Sequence, residues 1–341
     1  MRVLLTGASG FISAHILATL LDYGHDVVAT VRSDEKAAKI KQSYSHLPDG
    51  RLRFAIVADV SSPEAFDEAA QRDPPLDAVI HTASPFHFNI EDPKDFLDPA
   101  IKGTIRLLNA IKKGAPKVKR VILTSSFAAI IDLGRPKNGA GYVYSEKDWN
   151  PVTIEEVLQD PTNAYRAYRA SKTFSQRAAW EFMEKEKPNF ALTTMCPPFV
   201  FGPTVFPLTG SESLNTSNHL TRDFLRGNFK DKIPETGDFI WVDVRDLALG
   251  HVRAMEIEEA ANKRFFITAG YFNNRQIADA IRKHYPEYKE MLPTENAPGG
   301  GFPEDGLLGY DNRQTINILR IRFRSIETCI VDSVASFKDI I

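Results

Sequence analysis

The chain has 341 residues, 43% hydrophobic and 25% charged, with 42 Lys and Arg against 44 Asp and Glu and a net charge of −2. This is the composition of a globular protein large enough for one α/β domain with an appended lobe, and it gives no basis for a nucleic-acid or anionic-membrane partner. Two distant cysteines, Cys196 and Cys329, and eight histidines with no His-x-x-x-His or His/Cys cluster exclude a disulfide framework and point to no metal site.

The first residues read directly as a strand and a turn, not as a secretory leader. No apolar run approaches the ~20 residues of a membrane span, so a cytoplasmic location is expected. Strands are predicted at Arg2–Thr6, Asp26–Val31, Arg53–Val57, Ala78–Thr82, Arg120–Thr124 and Leu192–Met195. They are dense in Val, Ile, Leu and Thr without strict alternation, as strands buried on both faces should be. Helices are predicted between them at Ile12–Tyr23, Glu35–Ser45, Pro63–Gln71, Pro99–Lys112 and Asn163–Lys187. This alternation implies a Rossmann-type, doubly wound parallel sheet.

After about Gly202 the pattern loosens. Helices are predicted at Leu214–Leu225, Arg245–Met255, Asn274–His284 and Ser325–Phe337, strands at Phe239–Val242 and Arg264–Ala269, and a loop over Pro286–Gly306. The second half reads as too irregular to build a sheet of its own. We expect residues 1–202 to form the dinucleotide-binding domain that carries the catalytic residues. Residues 203–341 should form a smaller, mixed substrate lobe, with 239–257 returning to the first domain.

The Gly-rich turn of Thr6–Ser13 follows the first strand and opens the first helix. Gly7 permits the turn, Gly10 lets backbone approach a pyrophosphate, and Ser9, Phe11 and Ile12 present amides at a positive helix end. Ser13 replaces the third glycine of the fingerprint. At the second strand end, Arg32 and Lys36 with a serine between them suit a 2′-phosphate, hence NADP(H) over NAD(H). The alternative is that they only balance Asp34 and Glu35. Asp59 and Val60, after the third strand, belong near the adenine, although Asp59 equally suits a helix N-cap.

Ligands of such a sheet bind beyond the carboxyl ends of its strands. The fourth strand ends in Thr82, Ala83, Ser84 and Phe86; the fifth in Thr124, Ser125, Ser126 and Phe127; the sixth in Cys196, Pro197, Pro198, Phe199 and Val200. A serine there can stabilise developing charge on a carbonyl oxygen. Tyr168 and Lys172 lie four apart, on one face of the predicted helix. The ammonium is expected to lower the phenol's pKa from its reference near ~10, so that the pair can move a proton near neutral pH. Tyr165, whose four-on partner is Arg169, is a rival phenol and a candidate pocket residue.

The stretches at Thr6–Ser13, Val31–Ala37, His81–Phe86, Leu123–Ile130, Tyr168–Lys172, Phe199–Pro203, Leu214–Ser217 and Val242–Ala248 together resemble the extended short-chain dehydrogenase/reductases over nearly the whole chain. The resemblance is to the fungal branch of NADPH-dependent carbonyl, methylglyoxal and aldehyde reductases, which are related to dihydroflavonol reductases. It implies Ser126, Tyr168 and Lys172 as the catalytic residues, Tyr168 being the proton donor and Lys172 also binding the ribose. Arg32 and Lys36 would hold the 2′-phosphate. The resemblance also implies a cofactor site running past Thr82–Ser84, Thr124, Pro197, Phe199, Val200 and Ser217, and a substrate wall of Phe86, Phe127, Tyr165 and Phe199.

Three residues depart from the family pattern: Cys196 for an Asn, Lys102 for an Asn before the fifth strand, and Pro198 making a double proline. The expected activity is NADPH-dependent reduction of an aldehyde or ketone by a monomer or homodimer. The alternatives are dihydroflavonol- or hydroxysteroid-type activity, a nucleotide-sugar epimerase or dehydratase, and a non-catalytic NADP(H) sensor. The apolar Phe86, Phe127 and Phe199, with Cys196 replacing Asn, argue for a small, partly apolar substrate.

Overall fold

The computed structural model describes residues 1–84, 94–135, 139–208 and 210–341. Its first half alternates strand and helix: β1 (Arg2–Thr6), α1 (Phe11–Asp22), β2 (Asp26–Val31), α2 (Asp34–Ser43), β3 (Leu52–Ile56), α3 (Asp67–Ala70), β4 (Ala78–His81), α4 (Lys94–Gly114) and β5 (Arg120–Thr124). A short strand β6 (Val143–Tyr144), α5 (Ile154–Gln159), the long helix α6 (Ala164–Glu186) and β7 (Ala191–Cys196) follow. The remainder comprises β8 (Phe199–Phe201), α7 (Thr216–Leu225), β9 (Ile240–Asp243), α8 (Val244–Glu256), β10 (Arg264–Phe266), β11 (Gly270–Tyr271), α9 (Asn274–His284), β12 (Gly309–Tyr310), α10 (Arg313–Leu319) and α11 (Ile326–Phe337).

Seven parallel strands form the main sheet in the order β10-β7-β5-β4-β1-β2-β3. Successive side chains of a strand point to opposite faces. Val3 and Leu5 therefore join α1 and α8 residues such as Ile16, Leu17, Leu247 and Val252 in one core. Leu4 joins Leu107 and Ile111 of α4 and Phe182 of α6 in the other. Burial on both faces explains why these strands read as continuous apolar runs. The reversal of strand order beside β1 leaves a crevice at the carboxyl ends, where Thr6 pairs with His81 and Thr124 with Met195.

The second half does build sheet, contrary to expectation, and each small sheet borrows a strand from the first half. In one, β9 pairs in parallel with β8 and antiparallel with β11. In the other, β12 pairs with β6. The strand predicted over Arg264–Ala269 ends at Phe266 and becomes the edge of the main sheet beside β7. A third core, with Phe224 of α7, Ile277 of α9 and Val334 of α11, holds the lobe together. Two helix boundaries also differ. α3 is confined to Asp67–Ala70 because Glu64 has φ of +59°, which no helix accommodates. α4 starts at Lys94 and carries Pro99 inside it, at the loss of one backbone hydrogen bond.

Candidate active site

The turn between β1 and α1 is built for a close approach. Gly7 has φ of +71°, and a Cβ there would stand 3.0 Å from the Ala83 Cα. Only glycine meets both conditions cheaply. Ser13, the replacement for the third glycine, donates its hydroxyl to the carbonyls of Gly7 and Gly10 and locks the turn. Gly10 brings no capping side chain to α1, and the first turn holds no acid. The amides that follow Ser9 and Gly10, at Phe11 and Ile12, therefore open on a positive helix end suited to a pyrophosphate. The α7 end that carries Ser217 also lacks a side-chain cap and a first-turn acid.

At the end of β2, Arg32 and Lys36 are exposed, and neither makes an ion pair among the described residues. Glu35 pairs instead with Lys39 at 2.7 Å. Lys36 acts on Glu35 only as the last and smallest of its charge effects, so both cations are left open to an anion. Ser33 caps α2 by accepting from the Lys36 amide. Asp59 caps no helix directly; its carboxylate accepts from Ser61 and Ser62, which holds its pKa below the usual value. Val60 packs on Gly103 of α4, where a Cβ would approach it to 3.1 Å.

Thr6 organises the wall at the end of β4. Its Oγ1 accepts from the Thr82 and Ala83 amides, both at 3.2 Å, and lies 2.7 Å from His81 Nδ1. With both lone pairs used, the hydroxyl proton goes to Nδ1, so His81 carries its own proton on Nε2. Thr82 returns a bond to the Thr6 carbonyl at 2.6 Å, and Ser84 beside them is half-buried. His81 is 2% exposed, and burial and then Lys172 push its pKa down to about 3.

The fifth strand delivers the serine. Ser126 Oγ accepts from the Ala128 amide at 3.1 Å, which leaves its proton free to donate. The serine side chain is a hydrogen-bond partner of Tyr168, 42 positions later on α6, and that contact favours the phenolate. It is thus Tyr168 that the serine meets, while Tyr165 lies in the first turn of α6 and is 65% exposed. Lys172 Nζ stands 5.7 Å from the centroid of the Tyr168 ring.

The electrostatics correct one expectation. Burial raises the Tyr168 pKa, and the groups that oppose this are the Ser126 hydroxyl and then Arg169, not Lys172. Lys172 is itself desolvated, and its ammonium is pulled down to about 8. In this state the phenol is held neutral, as a proton donor requires.

A family model described as NAD dependent epimerase/dehydratase matches residues 3–268. The chain belongs to that family. It is 47% identical over 340 residues to a ketoreductase of Aspergillus niger, covering 99% of this chain and 98% of that one. It is 36% identical to the NADPH-dependent methylglyoxal reductase of Saccharomyces cerevisiae, covering 98% and 97%. The crystal structure of yeast methylglyoxal/isovaleraldehyde reductase complexed with NADPH matches with a TM-score of 0.90 at 33% identity, covering 100% of both chains. Alfalfa vestitone reductase shares the fold at 24% identity and a TM-score of 0.73.

The residues that depart from the extended-reductase pattern mostly face away from the site. Cys196 is fully buried, accepts from Gln176 Nε2 at 3.2 Å and packs with Ile130, Tyr144 and Ile240. Burial raises its pKa. It does not line a substrate wall, and the substrate argument drawn from it falls. Ser125 and Thr194 turn buried hydroxyls toward this thiol, and neither finds an oxygen or nitrogen partner among the described residues. Lys102 sits on the outer surface of α4, paired with Asp98 at 2.6 Å. Pro198 leads into β8, and the preceding Pro197 accepts from the Phe127 amide at 2.8 Å.

Phe127 is corrected as well. It is 4% exposed and stacks on Phe266 with centroids 5.0 Å apart, so its ring is core and not wall. Phe199 keeps 38% exposure beside Phe201 and Phe272, whereas Val200 is buried. Phe86 lies outside the described residues.

Sequence reasoning missed the residues that act through others. Thr124, expected near the cofactor, hydrogen-bonds Nε2 of a fully buried His251 at 2.8 Å; Nδ1 of that histidine meets the Leu247 carbonyl. Nothing in the local pattern around His251 or Gln176 marks them, because their partners are distant in sequence.

Proposed function

We propose that this protein reduces a small aldehyde or ketone to the alcohol with NADPH. The carrying observation is the hydrogen bond between Ser126 and Tyr168, with Lys172 beside the phenol, at the mouth of the strand-end crevice. NADPH fits the residues present. The glycine turn and the uncapped α1 end would hold the pyrophosphate, Arg32 and Lys36 the 2′-phosphate, and Lys172 the ribose. Asp59, Val60, Thr82–Ser84, Thr124, Pro197, Phe199, Val200 and Ser217 would flank the rest. When bound, the cofactor supplies the hydride that the carbonyl carbon accepts.

The chain's own residues do the remainder. Ser126 donates to the carbonyl oxygen and holds it against Tyr168. Tyr168 gives its phenolic proton to that oxygen as charge develops. Lys172 balances the phenolate left behind. The exposed rings of Phe199 and Tyr165 offer apolar surface to the substrate. The ketoreductase and methylglyoxal reductase relatives support a carbonyl compound as substrate.

We read residues 1–202 as the cofactor and catalytic unit and 203–341 as the main source of the substrate lobe. We place the protein in the cytoplasm as a monomer or homodimer without nucleic-acid or membrane partners. A net charge of −2 gives no electrostatic basis for a nucleic-acid or anionic-membrane partner, and no helix among the described residues is long and apolar enough to cross a membrane.

Tyr168→Phe tests the reading. NADPH oxidation should fall about a thousandfold or more with methylglyoxal, branched aldehydes, β-keto esters and aryl ketones, while NADPH still quenches protein fluorescence with its original affinity. A variant that keeps substantial turnover on the substrates used by the parent would remove Tyr168 from the mechanism.

A further inference from the structure

Edge strand β10 reaches both halves of the catalytic pair. The Arg264 guanidinium donates from Nε to Gln176 Oε1 at 2.8 Å, and from one terminal nitrogen to the carbonyls of Glu146 at 2.6 Å and Asp148 at 2.7 Å. The other terminal nitrogen reaches the Ala129 carbonyl at 3.4 Å. The group lies over the Trp149 ring, 3.7 Å from its centroid. Two residues on, Phe266 stacks on Phe127.

These partners are placed for a reason that the sequence does not state. Gln176 is fully buried and lies on the side of α6 that carries Lys172, one turn before it, and Tyr168, two turns before it. Holding Gln176 constrains the rotation of that helix, together with the other buried residues on its face. Ala129 closes the short turn Phe127–Ala129 that Ser126 caps, and Phe127 is the residue after the serine. The Asn150 amide and side chain bind the Ala129 and Ala128 carbonyls of the same turn. Arg264 is therefore one planar group bonded at once to the serine's turn and to the tyrosine's helix.

We propose that Arg264 is the positioning residue that holds Ser126 and Tyr168 in register, with Gln176 as its contact on the catalytic helix. This rests on the catalytic roles given above to Ser126 and Tyr168. A lysine cannot replace the guanidinium, because a single ammonium cannot address coplanar acceptors on three segments and lie flat on an indole. The thiol of Cys196 completes the arrangement by accepting from the free side of Gln176.

The test uses Arg264→Lys, Gln176→Met and Gln176→Glu in the full-length protein, with Tyr168→Phe alongside. Arg264→Lys and Gln176→Met should each lower kcat about tenfold to a hundredfold, with NADPH affinity from fluorescence quenching held within about twofold. Gln176→Glu keeps the acceptor for Arg264 and should restore most of kcat. The second readout needs no cofactor: Tyr168 ionisation, followed by tyrosinate absorbance as the difference from the same protein carrying Tyr168→Phe. It should move to higher pH in Arg264→Lys and Gln176→Met, because the Ser126 donor that favours the phenolate is displaced. If both variants lose only melting temperature, with kcat and the Tyr168 titration unchanged, the positioning role is wrong. If Arg264→Lys does not fold, Gln176→Met decides alone. Turnover surviving in Tyr168→Phe would instead overturn the catalytic reading, a distinguishable outcome.

Discussion

At the scale of single residues, burial sets the chemistry more than charge pairing does. Lys172 enters the site with its ammonium pulled down to about 8 from the ordinary 10.5. As pH rises through about 8, the free enzyme loses that cation beside Tyr168. The value of kcat/KM for NADPH, which reports free-enzyme ionisations, should therefore fall with a limb near pH 8. Lys172→Arg should abolish that limb while slowing turnover; a profile flat to pH 10 in the parent protein would contradict the assignment.

Arg32 makes the opposite case, a cation kept in water and without an ion pair among the described residues. Its removal should cost NADPH much more than NADH, because only the former has a phosphate to lose. We expect Arg32→Ala to raise KM for NADPH at least tenfold, about 1.4 kcal/mol, with KM for NADH changed less than twofold. Equal changes for the two cofactors would mean that Arg32 does not read the 2′-phosphate.

At the scale of elements, legibility followed the range of the forces involved. The main-sheet strands β1, β2, β4, β5 and β7 stand where Val- and Ile-rich runs placed them, within a residue or two. Their pattern records local burial on two faces. α6 likewise follows from its own length and from Asn163, whose side chain caps it.

The short strands β6, β8, β11 and β12 carry no such record. Two or three residues cannot express a period, and their pairing depends on partners more than a hundred residues away in the case of β6 with β12. β10 shows the same limit. Its residues read as strand, yet nothing in them says which sheet they join, and the junction that Arg264 makes depends on that choice. Glu64 cut α3 short for a backbone reason that a periodicity count does not weigh, and α4 runs through Pro99, where the sequence suggested a start.

At the scale of the whole molecule, two buried histidines tie the ends of main-sheet strands to neighbouring elements at some cost in acid. His251 links α8 to the end of β5 through Thr124, and His81 links β4 to β1 through Thr6. Burial holds His251 at about 4 and His81 at about 3, against 6.5 for an exposed imidazole. The unfolded chain therefore takes up protons below about pH 6.5 that the native state refuses. The stability these two histidines contribute is full above pH 6.5 and is lost as pH falls toward 4 and then 3. Urea midpoints measured at about pH 7 and about pH 5 should show this decline, and His251→Gln should flatten it. Midpoints equal at the two pH values would refute it.

What the sequence determined by itself is what repeats locally or sits within one turn of chain. That covers the βα alternation, the Gly7–Gly10 turn, the cations after β2, and the spacing of Tyr168 from Lys172. Tertiary structure alone decided that Ser126 meets Tyr168 across 42 residues, that Phe127 and Cys196 point into the core, that Gln176 and Arg264 bridge the serine turn to the tyrosine helix, and that the tyrosine's pKa rises. The physical reason is common to all four. Which face a side chain presents, and how much water it keeps, depend on elements that arrive from elsewhere in the chain, and desolvation by those elements outweighs the charge of a neighbour four residues away.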